Sequence, residues 1–441
     1  MNDVILHVFN WKYSEIIEKI DQIAAAGYGA ILLPPILYSD PMGSAWWQRY
    51  QPKDYRILYS YLGNKKQLEY IIEKCHNSKP RLNVFVDMVM NHMANESRED
   101  NYEFPGAAEL EKYKNDPELY EANKLYGDLS EGLFSTWDFN RKENIENWAD
   151  KHEVVYHQLS NLPDLSCNDW VLKQHDTVFE KMVELGFDGF RVDAVKHISN
   201  KQLGNIMDSD FMKGKFIFGE ILTVTRHDED LFMKPFIAET KMNAYDFVLF
   251  RAMREAFGFF GSLANLLHVE QHNNALPWDR AVTFTVNHDL PLNACFRALM
   301  FERQDEHLAN AFIFGRDGGV PLVFSDHNES ASDFPDDLNR WANSFNRKDI
   351  AKMIHFHNTL HGLKMFTLFE SPQCIVFRRG DRGIVAINKS EDNLYIDFDT
   401  FGLLHNVRFV ELLHDHSFEL TEGLFELFIP SRTAQMWLAE I

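Results

Sequence analysis

Four short stretches carry side chains that can hold or move protons, each at the end of an apolar run. DMVMNH supplies Asp87, Asn91 and His92, and GFRVDAVKH supplies Arg191, Asp193, Lys196 and His197. FGEIL supplies Glu220, and TVNHD supplies Asn287, His288 and Asp289. Arg191 and Asp193 are two apart in a strand-like run, so their side chains leave the same face. A guanidinium held there favours the ionised aspartate and is expected to lower its pKa. An ionised, oriented carboxylate is a competent nucleophile. Glu220 follows the apolar run FIFG, and apolar surroundings raise a glutamate's pKa, as a general acid at neutral pH requires. Asp289 is a third carboxylate, with His288 beside it as a hydroxyl donor. One ionised and one protonated carboxyl flanking a sugar is what glycoside hydrolysis needs. Each stretch alone reads equally well as a buried ion pair or a strand-end cap. Four of them at strand ends favour chemistry.

The elements that position these residues alternate. Apolar runs at Val4–Trp11, Ala30–Ile36, Leu82–Val89, Phe187–Val192, Phe216–Ile221, Tyr245–Phe250, Ala281–Val286 and Val320–Phe324 read as strands. Between them, Ser14 is expected to cap a helix ending at Gly27, Asn64 opens a second helix, and Asn168 leads a third to Gly186. Eight buried strands separated by helices predict an α/β fold, a closed (β/α)₈ barrel whose active site lies at the C-terminal strand ends. Residues 93–167 are far too long for a βα loop and read as an inserted subdomain after the third strand. From residue 366, short alternating runs such as CIVFRRGDRGIVAI predict a C-terminal all-β domain of sandwich type. The expected division is therefore 1–92 with 168–365 for the barrel, 93–167 for the insertion and 366–441 for the β-domain.

Composition narrows the partners. The 441 residues carry a formal net charge of −22, which disfavours phosphate backbones and anionic lipid, so neither nucleic acid nor membrane is expected and a neutral substrate fits. No run of about 18 apolar residues suggests a membrane span. The start, MNDVILHVFNW, has no basic and long apolar leader. The expected location is cytoplasmic, or outside the cell by a route without a signal peptide. Cys75, Cys167, Cys295 and Cys374 lie far apart, without metal-type spacing or a disulfide framework.

The segments DMVMNH, GFRVDAVKH, GEIL and VNHD closely resemble four signature segments of the α-amylase family of retaining glycoside hydrolases. LPDL, residues 162–165, resembles a fifth, and GYGAILLPPI, WWQRYQP and HVFNW look like the animal-type branch. The resemblance runs from about Asp3 to Asp326. It implies Asp193 as nucleophile, Glu220 as general acid/base and Asp289 as transition-state stabiliser. Asp87, His92, Arg191 and His288 would complete the subsite of the cleaved sugar, with Tyr50 stacked under it. Lys196 and His197 would meet the leaving side, and Trp46 and Trp47 the non-reducing side. Trp46 and Trp47 also read as part of an aromatic core, although adjacent residues of one strand do not both point inward.

The resemblance further implies a Ca²⁺ site built from Asn91, Asp164 and the backbone carbonyl of His197, an oxygen-only set that suits this ion. It implies chloride held by Arg191, Asn287 and an arginine after the eighth strand. Asn328 stands at that last position, so chloride is not expected to matter. Leu290 follows NHD where the family often has Asn, and the partner position for a disulfide to Cys75 falls near Lys19, which leaves Cys75 a free thiol. Three other motifs have plain readings: HFHNTLH (His355, His357, His361) a helix face without a carboxylate, RGD at Arg379–Asp381 a hairpin turn, and HDH at His414–His416 a loop. The expected activity is hydrolysis of α-1,4-glucosidic bonds in starch, glycogen or maltodextrins. A glucosyl-transferring relative on the same fold, or a non-catalytic glycan-binding barrel, are the alternatives.

Overall fold

In the computed structural model, residues 2–95, 111, 113–130, 132–140, 143–326 and 340–440 are described. Eight strands close a parallel barrel in sequential order: β1 Ile5–Val8, β2 Ala30–Leu33, β3 Asn83–Met88, β4 Gly189–Val192, β5 Phe216–Gly219, β6 Asn243–Tyr245, β7 Ala281–Thr283 and β8 Val320–Ser325. Strands β1, β2 and β4 are buried at every position, which explains their unbroken apolar runs. By Cα proximity the chain forms two compact units, one of Met1–Leu6, Ala25–Gly29 and Tyr245–Ile441, the other of His7–Ala24 and Ala30–Ala244.

In the second unit the register is in step across β2–β5. Asp87 of β3 pairs with Arg191 of β4, and Arg191 with Phe218 of β5. Helix α1, Tyr13–Ala25, buries Ile16, Ile20, Ile23 and Ala24 on one face. Ser14 lies inside this helix and does not cap it. Asn64 does cap α2, Lys65–Asn77, accepting from Gln67 N at 3.0 Å. Asn168 caps α3, Asp169–Leu185, accepting from Val171 N at 2.9 Å, and Gly186 ends that helix at φ +115°. Between β3 and α3 the described residues form short helices at Pro117–Asn123 and Lys151–Tyr156 and isolated bridges, among them His92 with Asp164 and Phe139 with Leu165.

The expected strand at Tyr245–Phe250 is wrong beyond its first residue. The strand ends at Tyr245, and Phe247–Phe257 is helix α4, capped by Asp246, whose carboxylate accepts from Leu249 N at 2.8 Å. Phe247, Val248, Leu249 and Phe250 are all buried, so the run has no polar face and its period is silent.

The C-terminal strands are β9 Met365–Glu370, β10 Cys374–Arg379, β11 Gly383–Asn388, β12 Leu394–Asp399, β13 Val407–Glu411, β14 Ser417–Leu420, β15 Leu424–Ile429 and β16 Thr433–Ala439. They make a six-stranded sheet in the order β9-β10-β11-β16-β13-β14 and a two-stranded sheet β12-β15. Val376, Ile384, Ile396, Phe398, Phe409, Leu427 and Trp437 share their core. Arg379–Asp381 begins the β10–β11 turn with Gly380 at φ +55°, and His414–His416 lies between β13 and β14, as expected. HFHNTLH differs from expectation. His357, on helix Lys348–Thr359, meets Asp3 Oδ1 at 2.8 Å, and His361, just beyond the helix, meets Asp3 Oδ2 at 3.3 Å, so a carboxylate does accompany the pair. Among the described residues no group of three or more His, Cys, Asp or Glu is placed to hold a metal.

Candidate active site

Arg191 is the hub. Its side chain is fully buried, and three carboxylates converge on one guanidinium. Nη1 donates to both oxygens of Asp87 at 2.8 Å and to Asp193 Oδ1 at 2.6 Å, while Nη2 lies 2.9 Å from Glu220 Oε2. The parallel register puts these groups together: Asp87 and Arg191 are cross-strand partners, Asp193 directly follows β4, and Glu220 directly follows β5. Tyr50 donates its hydroxyl to Asp87 Oδ2 at 2.9 Å, and its backbone carbonyl lies 2.9 Å from His92 Nε2.

Three buried carboxylates share one cation, so they do not all ionise freely. Burial, with Glu220 and Asp87 adding to it, pushes Asp193 up to about 8 against the opposing pull of Arg191. Burial likewise pushes Asp87 up to about 6. This corrects the expectation of a lowered Asp193. The guanidinium acts in the expected direction, but it is divided among three acids and outweighed by desolvation. Arg191 itself stays charged, held well above its usual value by the three carboxylates despite burial. Burial drives His92 down to about 4, leaving it neutral.

Glu220 is less apolar in its surroundings than FIFG suggests. Besides the contact with Arg191, its Oε2 accepts from the backbone N–H of Ala194 at 3.0 Å. Ala194 sits at φ +50°, the left-handed region that costs a residue with a side chain on the order of 1 kcal/mol. That strained turn directly follows Asp193 and aims the N–H at the glutamate.

Lys196 places Nζ 4.6 Å from the centre of the Phe232 ring, 5.6 Å from that of Trp148, and 3.4 Å from the carbonyl of Leu222. His197 is buried, held through Nδ1 at 2.9 Å from Val154 O, edge-on to Trp148, and driven by burial to about 4. Trp148 thus touches both residues of the Lys-His pair. It was not anticipated, because nothing in its local sequence marks it. Trp46 and Trp47 lie on a 3₁₀ turn, Trp46–Tyr50, and not on a strand. Successive side chains there diverge by about a third of a turn. Trp46 packs edge-on to Tyr50 and tilted on Phe9, while Trp47 is 47% exposed.

Asp164 is buried, and its Oδ1 has no hydrogen-bond donor. Asn140 donates Nδ2 to its Oδ2 at 2.7 Å, and burial pushes the carboxyl up to about 8. Asn91, Asn140 and His197 line one small cavity. A buried carboxylate oxygen lacking a donor fits a hard cation. Asn140 was missed because it lies in a stretch with no recognisable pattern.

In the other unit, Asn287, His288 and Asp289 follow β7, and Asp289 opens the short helix Asp289–Leu292. Asn293 Nδ2 donates to Asp289 Oδ1 at 3.0 Å, and His288 Nε2 lies 3.4 Å from the same oxygen. Asn287 and His288 are buried, with Asp289 partly exposed. Leu290 is buried and donates its N–H to Asn287 Oδ1 at 3.3 Å. Asn328 lies outside the described residues. All four cysteines are free, Cys75 buried among them.

The family model for the α-amylase catalytic domain matches residues 12–226. An α-amylase of Aeromonas hydrophila is 40% identical over 413 residues, spanning 91% of this chain and 88% of that protein. Among solved structures, a mutant of α-amylase I from Eisenia fetida in complex with maltohexaose superposes with a TM-score of 0.78 at 18% identity, covering 100% of this chain and 97% of that one. A cyclomaltodextrin glucanotransferase superposes at 0.77 and 19%, covering all of both chains. The last two are likenesses of fold. With the carboxylate cluster at the barrel strand ends and a relative this similar along nearly its whole length, the chain belongs to the α-amylase family of glycoside hydrolases.

Proposed function

We propose that this chain hydrolyses α-1,4-glucosidic bonds of starch, glycogen or maltodextrins with retention of configuration. The observation that carries the reading is the sharing of Arg191 by Asp87, Asp193 and Glu220. A double displacement needs two carboxyl groups in opposite protonation states a few ångströms apart. A trio of acids around one cation retains a proton at neutral pH; burial favours it on Asp193, and in the reactive state it lies on Glu220, which delivers it to the leaving oxygen, with Asp193 ionised. As the bond breaks, Asp193 attacks the anomeric carbon and forms a covalent glycosyl-enzyme. Glu220, now ionised, takes a proton from water, which displaces Asp193 and returns the α configuration. Arg191 keeps Asp193 oriented and offsets its charge, and Asp87, tied to Arg191 and Tyr50, is placed to bind sugar hydroxyls. We assign Asp289, held by Asn293 and His288, to stabilising the positive charge of the transition state. Tyr50, His92 and His288 would surround the reacting sugar. Lys196, His197, Trp46 and Trp47 would meet its neighbours.

Residues 93–167 are assigned as an insertion on the barrel, and Asn91, Asn140, Asp164 and the His197 carbonyl as its calcium ligands. A bound calcium ion would neutralise Asp164 and pin the insertion to the strand ends. No step of the reaction passes through it. A time course on glycogen, pullulan and maltotriose, with products resolved by size and anomer, tests the reading. Initial α products shorter than the substrate are expected. β products, or products longer than the substrate before any hydrolysis, would overturn it.

A further inference from the structure

Gly219, the last residue of β5, stands directly before Glu220 and has no room for a side chain. A Cβ placed there would lie 2.6 and 3.3 Å from the two methyls of Val195 and 3.1 Å from Phe236 Cζ. Val195 is buried and opens the 3₁₀ turn Val195–His197, while Phe236 is buried on the helix Lys234–Glu239. A β-branched side chain is stiff at χ1, so Val195 does not swing both methyls aside. The turn after β4 is therefore seated on the backbone of Gly219. Two hydrogen bonds cross the same seam. Glu220 donates its N–H to Val192 O at 3.0 Å, and Ala194 donates its N–H to Glu220 Oε2 at 3.0 Å. Lys196, on the same turn, reaches the carbonyl of Leu222 at 3.4 Å.

We propose that Gly219 and Val195 are positioning residues for the general acid: their contact holds the Ala194 N–H on Glu220 Oε2, which makes Oε1 the oxygen that carries and transfers the proton. The proposal rests on the reading of Glu220 as general acid/base. Oε2 faces two donor groups, the Ala194 N–H and Arg191 Nη2 at 2.9 Å. A hydrogen on that oxygen would meet theirs or displace one of them, whereas protonation at Oε1 keeps both contacts. When the Oε1 proton passes to the leaving oxygen, the N–H already faces the carboxylate that forms. In the second step Oε1 takes the proton of water, and the side chain changes role without turning over. Asp87, Asp193, Arg191, Lys196 and His197 also act on Glu220 electrostatically, and all of them remain in the variants below.

Two substrates separate acid positioning from general damage. Maltotriose has a poor leaving group that needs the proton, whereas fluoride departs from α-maltosyl fluoride with little help. For each, kcat/KM covers the steps up to the glycosyl-enzyme, so the second displacement does not enter. In Gly219→Ala, relief of the 2.6 Å overlap moves the turn by roughly 1 Å. Its kcat/KM on maltotriose should fall about a hundredfold, and that on α-maltosyl fluoride less than about threefold. Adding Val195→Ala removes both methyls and should restore about tenfold of the loss. Replacing Ala194 by lactic acid puts an ester oxygen where the N–H was and leaves every side chain in place. The basic limb of its kcat/KM profile on maltotriose should move up by roughly one pH unit, because the Glu220 carboxylate loses a donor. This variant carries the test if Gly219→Ala folds poorly. Equal losses on both substrates in a folded Gly219→Ala, no recovery in the double variant, or an unmoved basic limb in the ester would each overturn the proposal. Full maltotriose turnover by Glu220→Gln would instead overturn the reading of Glu220 as the acid.

Discussion

Replacing Arg191 by Met removes the one cation that Asp87, Asp193 and Glu220 share while keeping much of the side chain's length. The contacts it makes are 2.6–2.9 Å long and lie in a buried cluster. With an effective dielectric constant near 20, each such pair is worth about 4 kcal/mol, equivalent to about three pKa units. Because one proton is already shared among the three acids, the shift seen at any one macroscopic step is smaller, roughly two units upward. Asp193, the proposed nucleophile, which already titrates at about 8 in the parent, is therefore ionised in a still smaller fraction of the variant at neutral pH. The acid limb of kcat/KM should move up by roughly two pH units, with activity at pH 7 falling about a hundredfold and partly recovering in alkali. Stability has a defined sign as well. Asp193 and Asp87 already sit above their ordinary values, at about 8 and about 6, and removal of Arg191 raises them further. A carboxyl whose folded pKa is raised favours the fold below its unfolded value, near 3.8, and loses that favour as pH rises toward the folded value. The melting-temperature gap between parent and variant should therefore be small and nearly constant from pH 4 to about pH 6, and widen above that, where Asp87 and then Asp193 ionise in the parent but not in the variant. A pH–rate profile and thermal melts across that range test both. An acid limb at the parent's position, or a gap that is the same at pH 4 and pH 8, would refute the reasoning.

Tyr50→Phe removes only the 2.9 Å hydrogen bond to Asp87 and should lower kcat/KM about tenfold, with a small loss of stability. Asp164→Ala should lower both melting temperature and activity and abolish the response to chelator. An ion at a hundredfold excess over its Kd stabilises the parent by about 2.7 kcal/mol, so a metal-free parent with unchanged melting temperature would remove calcium from the account. Chloride titration should leave activity unchanged, and a strong requirement would show the third halide ligand to be elsewhere than Asn328. Lys389 donates to the carbonyls of Ala256, Gly258 and Gly261 at 2.7, 2.9 and 2.8 Å, so Lys389→Met should cost about 2–3 kcal/mol in urea unfolding without changing turnover on maltotriose.

The elements of the candidate site were legible because each lies where two signals coincide, an apolar run followed at once by charge. Asp87, Arg191, Asp193 and Glu220 stood out one by one, and the parallel register then brought them to one guanidinium. Their electrostatics were not legible. Spacing told that Arg191 and Asp193 share a face, but only the fold reveals that two further carboxylates compete for the same charge and reverse the sign of the shift. Caps with a side-chain signature, Asn64 and Asn168, read correctly, while Ser14 did not, because a serine within the first turn looks the same as one that begins it. At Phe247–Phe250 complete burial erased the period that separates helix from strand, although Asp246 offered a capping signal. Asn140 and Trp148 act on Asp164, Lys196 and His197 from a segment without periodicity, and only tertiary structure brings them there.

The assignment of Asp193 and Glu220 is tested most directly by trapping the glycosyl-enzyme. Glu220→Gln, incubated with an activated α-glucosyl fluoride and digested with pepsin, should yield a single glucosylated peptide, with the sugar on Asp193. Asp193→Asn treated in the same way should yield none. A sugar on any other residue, or no covalent adduct while Glu220→Gln still turns the fluoride over, would contradict the account.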